Sequence, residues 1–136
     1  MIRTVFIDTA AWISIIDADD SLHATAKAIL HQLNRQKARL ITTEFVLLEV
    51  ADAFCKPRTR GIVIAYLDGL RRMSHLKVVP LSQSLLLESW DLYRRRPDKG
   101  WGLTDCTSFI VMELEQISEV FTSDRHFEQA GFTKLL

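Results

Sequence analysis

The chain has 136 residues, 48% of them hydrophobic and 25% charged, and its 17 acidic and 17 basic side chains cancel. This length suits one domain with a proper core, so we expect residues 1–136 to form a single domain. The balanced charge indicates no particular class of partner. Because no apolar run approaches the roughly 18 residues that span a bilayer and the N-terminus lacks a secretion-signal pattern, the sequence predicts a cytoplasmic protein without membrane contact.

Strand-like and helix-like patterns alternate along the chain. Short β-branched and aromatic runs predict strands at residues 3–8, 38–43, 76–81, 118–123 and, at one edge, 132–136. Longer runs with apolar residues three and four apart predict helices at residues 9–17, 21–36, 43–56, 59–73, 82–96, 104–115 and 124–131. This alternation predicts an α/β domain of three layers, with a central parallel sheet of four to five strands between helices.

Hydroxyl residues mark several of the predicted helix starts. Ser21, Thr43 and Thr104 are each expected to cap the helix that follows, because their side chains can accept hydrogen bonds from free backbone amides. Pro57 is expected to stop the helix that Thr43 begins.

Four acidic residues fall at the edge where α/β sheets bind their ligands, beyond the carboxyl ends of the strands. Asp8 ends the first strand and Asp124 ends the fourth. Asp105 opens a helix, and Glu49 is expected to face inward at the rim of the helix after the second strand. Carboxylates 4 Å apart repel by about 4 kcal/mol at an effective dielectric near 20, so this cluster needs cations. Oxygen ligands favour Mg²⁺ or Mn²⁺, and one or two such ions would activate water against a phosphodiester.

Each acid also has a purely structural explanation. Helix capping would account for the two aspartates at helix starts, a salt bridge for Glu49, and hydrogen bonding at the strand end for Asp8. Two other acids on the helix of Glu49 compete with it. Glu44 is expected to complement the helix dipole, and Asp52 is expected to lie further from the apolar stripe.

Three further residues near or outside this edge are assigned structural roles. His126, close to Asp124, is expected to be a surface histidine, with contact to a substrate phosphate as the alternative. Cys55 and Cys106 lack metal-ligand spacing and are expected to be reduced and buried. We expect Cys106 to pack in the core and not to act as a nucleophile.

A basic run precedes Asp105 and is the sequence feature most typical of RNA binding. Its cations, which would contact RNA phosphates, are Arg94, Arg95, Arg96 and Lys99. Tyr93 and Trp101 flank them and are expected to be available for base stacking. The alternative is that the arginines only complement the dipole at a helix C-terminus.

The four acidic motifs together make the chain resemble the PIN-domain family, and its length resembles that of the single-domain VapC-like toxins. The motifs are "FIDTAAW", "TTEFVLLEVADAF", "LTDCTSFIVM" and "FTSDRHFEQAGF", which contain the four acids in the order of the family. The resemblance covers essentially the whole chain. It implies an α/β/α fold and an endoribonuclease that uses Mg²⁺ or Mn²⁺ at Asp8, Glu49, Asp105 and Asp124. It also implies a homodimer and silencing by a small antitoxin protein.

The resemblance leaves one choice open, and three other functions compete with it. Thr9, Thr104 and Ser108 are all candidates for a helper hydroxyl. A phosphoacceptor domain would need an acidic pair after the first strand, and a phosphatase of the Asp-x-Asp type would need an acid at Ala10, so both are disfavoured. A binding module without catalysis, acting through a protein partner, remains the alternative function.

Overall fold

The computed structural model describes residues 2–136, and this part of the chain contains five strands and seven α-helices. The strands are β1 (Thr4–Ile7), β2 (Arg39–Thr43), β3 (Leu76–Val79), β4 (Glu119–Phe121) and β5 (Thr133–Lys134). The helices are α1 (Thr9–Ile16), α2 (His23–Arg35), α3 (Glu44–Ala53), α4 (Pro57–Gly69), α5 (Gln83–Arg95), α6 (Leu103–Leu114) and α7 (His126–Gln129). A short 3-10 turn, Leu70–Arg72, extends α4.

All five strands form one parallel sheet in the order β3-β2-β1-β4-β5, which confirms the predicted α/β fold and its last edge strand. The central strand is β1, whose Phe6 lies opposite Ile41 on one side and Val120 on the other. From β1 the chain builds outward through β2 to β3 and then returns to the other side of β1 as β4. The strand order therefore reverses between β1 and β4, where parallel α/β sheets have their binding crevice.

Burial of the central strand explains why the sheet forms around it. Val5, Phe6 and Ile7 are completely buried, because helices cover both faces of the sheet. Such a strand needs a continuous apolar run, which the sequence provides. One buried polar link joins the layers: the Trp12 indole donates a 3.2 Å hydrogen bond to the Thr42 hydroxyl.

The predicted helix starts were partly right. The Thr43 hydroxyl accepts a 3.0 Å hydrogen bond from the Val46 amide, which confirms it as the cap of α3. The predicted Ser21 cap was wrong, because α2 begins at His23 and the Asp20 carboxylate accepts from the Leu22 amide instead. The expectation that Pro57 stops α3 was wrong: this helix already ends at Ala53, and Pro57 is the first residue of α4, where a missing amide proton costs nothing.

The two cysteines are both free thiols but differ in environment. Cys106 is buried as expected, and burial raises the pKa of its thiol to about 11, with a smaller contribution from the Asp105 charge. The expectation for Cys55 was wrong: it is exposed, because the chain leaves the core after the buried Phe54. Within residues 2–136, none of the helices is both long enough and apolar enough to cross a bilayer.

Candidate active site

Asp8 is the buried member of the predicted acid cluster. It follows β1 directly, and its amide donates a 3.1 Å hydrogen bond to the Phe121 carbonyl at the end of β4. Only 4% of the residue is exposed, and burial raises the pKa of its carboxyl group to about 7. A 2.8 Å hydrogen bond from the Thr122 hydroxyl opposes that rise. The negative charges of Asp105 and Asp124 add to it, so the ionised form of Asp8 is unfavourable without a nearby cation.

Asp105 has two roles at the start of α6. Its Oδ2 atom accepts a 3.0 Å hydrogen bond from the Gly102 amide, so the carboxylate caps the helix from its third position. The predicted Thr104 cap was wrong, because α6 begins at Leu103 and Gly102 occupies the capping position. Burial raises the pKa of Asp105, the Gly102 hydrogen bond opposes this, and the charge of Asp124 raises it further. Capping and membership of the acid cluster are thus compatible.

Asp124 is held in a tight turn between β4 and α7. Its amide donates to the Thr122 hydroxyl at 3.1 Å, and its Oδ1 atom accepts from the His126 amide at 2.9 Å. Thr122 therefore contacts two of the acids, donating to Asp8 and accepting from the backbone of Asp124. This turn aligns the end of β4 with the end of β1.

His126 lies between two carboxylates and is not the surface histidine that we expected. Its Nδ1 atom is 3.1 Å from Asp105 Oδ2 and 3.4 Å from Asp124 Oδ1. An ionised carboxylate can only accept a hydrogen bond, so the Asp105 contact requires a proton on Nδ1. One ligand atom from each of Asp105, Asp124 and His126 falls within 4.8 Å of the others. The sequence pattern missed this contact because His126 enters the site through the turn.

Glu49 lies beside this group and is more exposed than predicted. The expectation that it faces inward was wrong, because the residue is exposed on α3. Its Oε1 atom accepts a 2.6 Å hydrogen bond from the Thr9 hydroxyl, one residue after Asp8. Thr9 thus connects Glu49 to the β1 end of the site. The two other acids considered on α3 have different surroundings. Asp52 is exposed, and Glu44 accepts a 2.6 Å hydrogen bond from the Leu81 amide.

The two other candidate hydroxyls lie one turn apart on α6. Thr104 is half-buried, and its carbonyl accepts a hydrogen bond from the Thr107 hydroxyl. Ser108 is completely buried, and its hydroxyl has no hydrogen-bond partner within residues 2–136. Asp105 and Ser108 are three residues apart, so they occupy neighbouring positions on one face of the helix. An unpaired buried hydroxyl is costly and requires an explanation.

The donor set fits a hard divalent cation. Buried or half-buried carboxylates from two strand ends and one helix start meet at the switch point. Burial raises the pKa of Asp8 and of Asp105, and repulsion by the neighbouring acids adds a smaller rise. Within the described chain, Asp105 and Asp124 each use one carboxylate oxygen for hydrogen bonds with protein donors, which orients the other oxygen. Oxygen donors of this kind suit Mg²⁺ or Mn²⁺.

A family model for the PIN domain matches residues 5–133 of the chain. The chain belongs to the PIN-domain family. This PIN domain is 24% identical over 131 residues to the 23S rRNA-specific endonuclease VapC20 of Mycobacterium tuberculosis, strain CDC 1551 / Oshkosh. The match covers 96% of the present chain and 97% of that relative. VapC20 of strain H37Rv matches to the same extent.

Solved structures share the fold. The crystal structure of M. tuberculosis VapC20, described as a sarcin-ricin loop cleaving toxin, matches the PIN domain with a TM-score of 0.83 and 25% identity, over 96% of this chain and 98% of that one. VapBC2 from Rickettsia felis, bound to a promoter DNA fragment, matches with a TM-score of 0.71 and 15% identity over 98% of both chains. DNA-bound VapBC from Salmonella typhimurium has a TM-score of 0.70 and 16% identity, covering 99% of this chain and 98% of that one. The last two establish the shared fold.

The basic segment before Asp105 is partly neutralised by its own acids. Arg95 pairs with Asp91 at 3.1 Å, and Arg96 makes two 3.0 Å hydrogen bonds to Asp98. Lys99 lies 3.9 Å from the same Asp98. Arg94 and Arg95 are in the last turn of α5, so complementing the helix dipole is also consistent with their position.

One of the two predictions of a stacking residue was wrong. Trp101 is only 7% exposed: its ring packs edge-on against Phe109 at 5.0 Å, and its indole donates to Gln129. It is therefore a core residue, not an open stacking surface. Tyr93 is exposed as expected, and its ring stacks on Trp90, which the sequence pattern did not single out. The spacing of three residues on a helix is the signal that would have paired them.

Proposed function

We propose that this PIN domain is a divalent-metal-dependent endoribonuclease and acts as the toxin of a toxin–antitoxin pair. The observation that carries the proposal is the convergence of Asp8, Asp105 and Asp124 at the switch point of the sheet, with the pKa of Asp8 raised to about 7 by burial. The VapC20 relatives are named as endonucleases of 23S rRNA, and RNA is the substrate that we propose here.

We assign the first contacts with the metal to Asp8 and Asp105, and shared or water-mediated contacts to Glu49 and Asp124. When bound, one or two Mg²⁺ or Mn²⁺ ions supply charge stabilisation and an activated water for hydrolysis of the phosphodiester. Mg²⁺ keeps several of its waters and takes few carboxylates directly, which is why four acids need not all touch it.

The other residues of the site orient these carboxylates. Thr122 fixes the carboxylate of Asp8 and the turn of Asp124, and the Gly102 amide fixes that of Asp105. Thr9 fixes Glu49. The buried hydroxyl of Ser108 is a candidate partner for a water bound at the site, which would meet its hydrogen-bonding requirement. Thr104 remains a third candidate.

Arg94, Arg95, Arg96 and Lys99 are proposed to hold the RNA backbone. The segment lies immediately before Asp105 and carries more positive than negative charge, although Asp91 and Asp98 are paired with parts of it. To bind RNA, Arg95 and Arg96 would exchange their contacts with Asp91 and Asp98 for contacts with phosphate oxygens. Both acids are exposed, so the arginines can leave them.

The proposed partners are a second copy of the chain and a small antitoxin, and the proposed location is the cytoplasm. Large apolar side chains remain exposed on α3 and α4, namely Leu48, Ile62 and Ile64. Each is more than half exposed, and a protein partner would cover them. The whole length, residues 1–136, is proposed to act as one nuclease domain. A short reading frame immediately upstream, encoding a DNA-binding antitoxin, would support this assignment.

The deciding experiment is a metal titration with two readouts. After removal of metal with EDTA, Mn²⁺ is expected to raise the melting temperature and to restore cleavage of RNA. Asp19→Asn serves as a matched control, because Asp19 is an exposed acid in the loop after α1, at the opposite end of that helix from Asp8. It is expected to respond like the parent. Binding of a protein partner without any effect of metal on stability or RNA cleavage would instead support the non-catalytic binding module.

A further inference from the structure

A groove runs along the C-terminal half of α5 and the loop that follows it. Its volume is about 660 Å³, within the roughly 300–1,000 Å³ usual for ligand sites. The residues that give it its chemistry are Trp90, Tyr93, Arg94, Arg96, Lys99 and Gly102. The groove is therefore both aromatic and basic.

Its outer wall is a pair of exposed aromatic rings. Trp90 and Tyr93 stack with ring centroids 5.6 Å apart and planes 22° apart. Their residues remain 45% and 44% exposed, respectively. An exposed, preformed stack offers flat π surfaces at little conformational cost, which is how proteins bind unpaired bases without requiring a particular sequence.

The charges in the groove suit a phosphate backbone. The Arg94 guanidinium lies over the Trp90 ring at 6.0 Å, and within residues 2–136 it forms no salt bridge with an acid. Arg96 and Lys99 both contact Asp98, so two cations share one acid. The groove thus has an excess of positive charge although the whole chain is neutral.

The inner end of the groove meets the acid cluster. Gly102 lines the groove, and its amide holds the Asp105 carboxylate at 3.0 Å. A Cβ atom built on Gly100, another lining residue, would lie 3.9 Å from His126 Nε2. A strand in the groove would consequently lead into the site that contains Asp105 and His126.

We infer that this groove binds one unpaired nucleotide next to the cleaved phosphodiester, with its base stacked on the Trp90–Tyr93 pair. Arg94 contacts the phosphate that joins this nucleotide to the cleaved bond. The inference rests on the proposed ribonuclease function and adds a substrate requirement to it: the RNA must be single-stranded, or flipped out, at the nucleotide that occupies the groove. Paired bases present no free face for such stacking.

The test is a double-mutant cycle that combines the removal of one protein side chain with the removal of one RNA base. A labelled single-stranded RNA of about eight nucleotides, and versions with one abasic nucleotide at each position, are titrated against the Asp8→Asn protein by fluorescence anisotropy. Trp90→Ala in this background is expected to weaken binding of the intact RNA roughly 5- to 150-fold, as the loss of one stacked base does. For one of the abasic RNAs, the Asp8→Asn protein should bind as weakly as its Trp90→Ala derivative binds the intact RNA. Trp90→Ala should not weaken the binding of that abasic RNA any further.

Two further variants separate stacking from general damage. Trp90→Phe keeps an aromatic face and is expected to recover most of the affinity. Leu87 lies one turn earlier on α5, is 58% exposed and does not line the groove. Leu87→Ala in the Asp8→Asn background should therefore bind RNA with the affinity of the Asp8→Asn protein. Melting temperatures check that all variants are folded.

Three results would overturn the inference, and they differ in what else they affect. If Trp90→Ala binds intact RNA with unchanged affinity while the wild-type protein cleaves RNA with Mn²⁺, only the nucleotide groove is refuted. If the same change converts a dimer into a monomer with unchanged RNA affinity, the aromatic pair is an interface between copies. If the Asp8→Asn protein binds no RNA and the wild-type protein cleaves none, the proposed function fails together with the groove.

Discussion

Acidic side chains have opposite environments at the two ends of the sheet. At the amino end, Glu119 accepts hydrogen bonds from the Arg3 guanidinium at 2.9 and 3.0 Å, which lower its pKa. Glu115, just beyond α6, accepts a 2.7 Å hydrogen bond from Lys77. At the carboxyl end, burial raises the pKa of Asp8 to about 7 and also raises that of Asp105.

The difference shows which charges serve the fold. An acid with a matched cation is satisfied within the protein and leaves nothing for a ligand. Uncompensated acids destabilise the protein, so their presence indicates that something else binds them. In the described chain the nearest protein cation available to Asp105 and Asp124 is His126, which is charged only when protonated.

The largest expected effect comes from removing a charge at the carboxyl end. Asp8→Asn and Asp105→Asn should each reduce Mn²⁺-dependent RNA cleavage by on the order of a thousand-fold or more, because each removes a proposed metal ligand. The fold should survive, since an Asn oxygen can still accept from Thr122 or from the Gly102 amide. Cleavage rates are compared with those of Asp19→Asn. Undiminished cleavage by either variant would remove that residue from the proposed site.

The same burial predicts an unusual pH dependence of stability without metal. The pKa of Asp8 is 3.8 in the unfolded chain and about 7 in the folded one, so the folded state retains the proton more tightly. Its contribution to stability is complete below the unfolded pKa and is lost as the pH rises through the folded pKa. The full loss, from below pH 4 to above pH 7, is on the order of 4 kcal/mol.

Denaturant unfolding in EDTA across this pH range measures the effect. Asp8→Asn should flatten the decline and be more stable than the parent protein above pH 7, and Mn²⁺ should restore part of the stability of the parent alone. Parallel pH profiles for the two proteins would show that Asp8 ionises at its ordinary pKa and that its burial is compensated.

A smaller effect is expected from the exposed cations near the site. Replacing Arg94, Arg95 and Arg96 together by Gln should flatten the salt dependence of RNA binding. The slope of log K against log salt concentration should shrink by about 0.7 for each single-strand phosphate that the variant no longer binds. Metal affinity should change little, because exposed charges are screened beyond about 8 to 10 Å. Binding is measured at several salt concentrations in the Asp105→Asn background. If the arginines only complement the end of α5, the variant loses a little thermal stability and its salt slope is unchanged.

The smallest effect is expected at the amino end. Arg3→Ala should cost about 1 kcal/mol or less, because the pair with Glu119 is partly solvent-exposed, and RNA cleavage should be unchanged. Urea unfolding and a cleavage assay on the same preparation give both numbers. A large loss of cleavage with intact stability would mean that the two ends are coupled through β4.

The sequence predicted the sheet and the convergence of the acids better than the details of the site. Parallel strands place their carboxyl ends at one edge, so Asp8 and Asp124 could be brought together from strand positions alone. The exposure of Glu49 depends on how α3 is rotated against the core, which helical spacing does not determine. His126 enters the site because Thr122 and Asp124 close a turn through side-chain hydrogen bonds.

Packing decided the remaining differences. Trp101 has the chemistry of a stacking residue, but its ring packs edge-on against Phe109 and its indole donates to Gln129. Trp90 has the same chemistry and remains 45% exposed on α5. The sequence pattern singled out Trp101 and not Trp90, and only three-dimensional contacts show that Trp101 is buried while Trp90 stays exposed.

The pairing of β1 with β4 also governs when such a site can exist during synthesis. Asp8 and Thr122 are 114 residues apart, and their hydrogen bond forms only after β4 has docked beside β1. Earlier in translation, a chain containing β1, β2 and β3 has Asp8 without Asp105, Thr122 or Asp124. The growing chain therefore has no completed site until most of the fold has emerged and β4 has paired with β1.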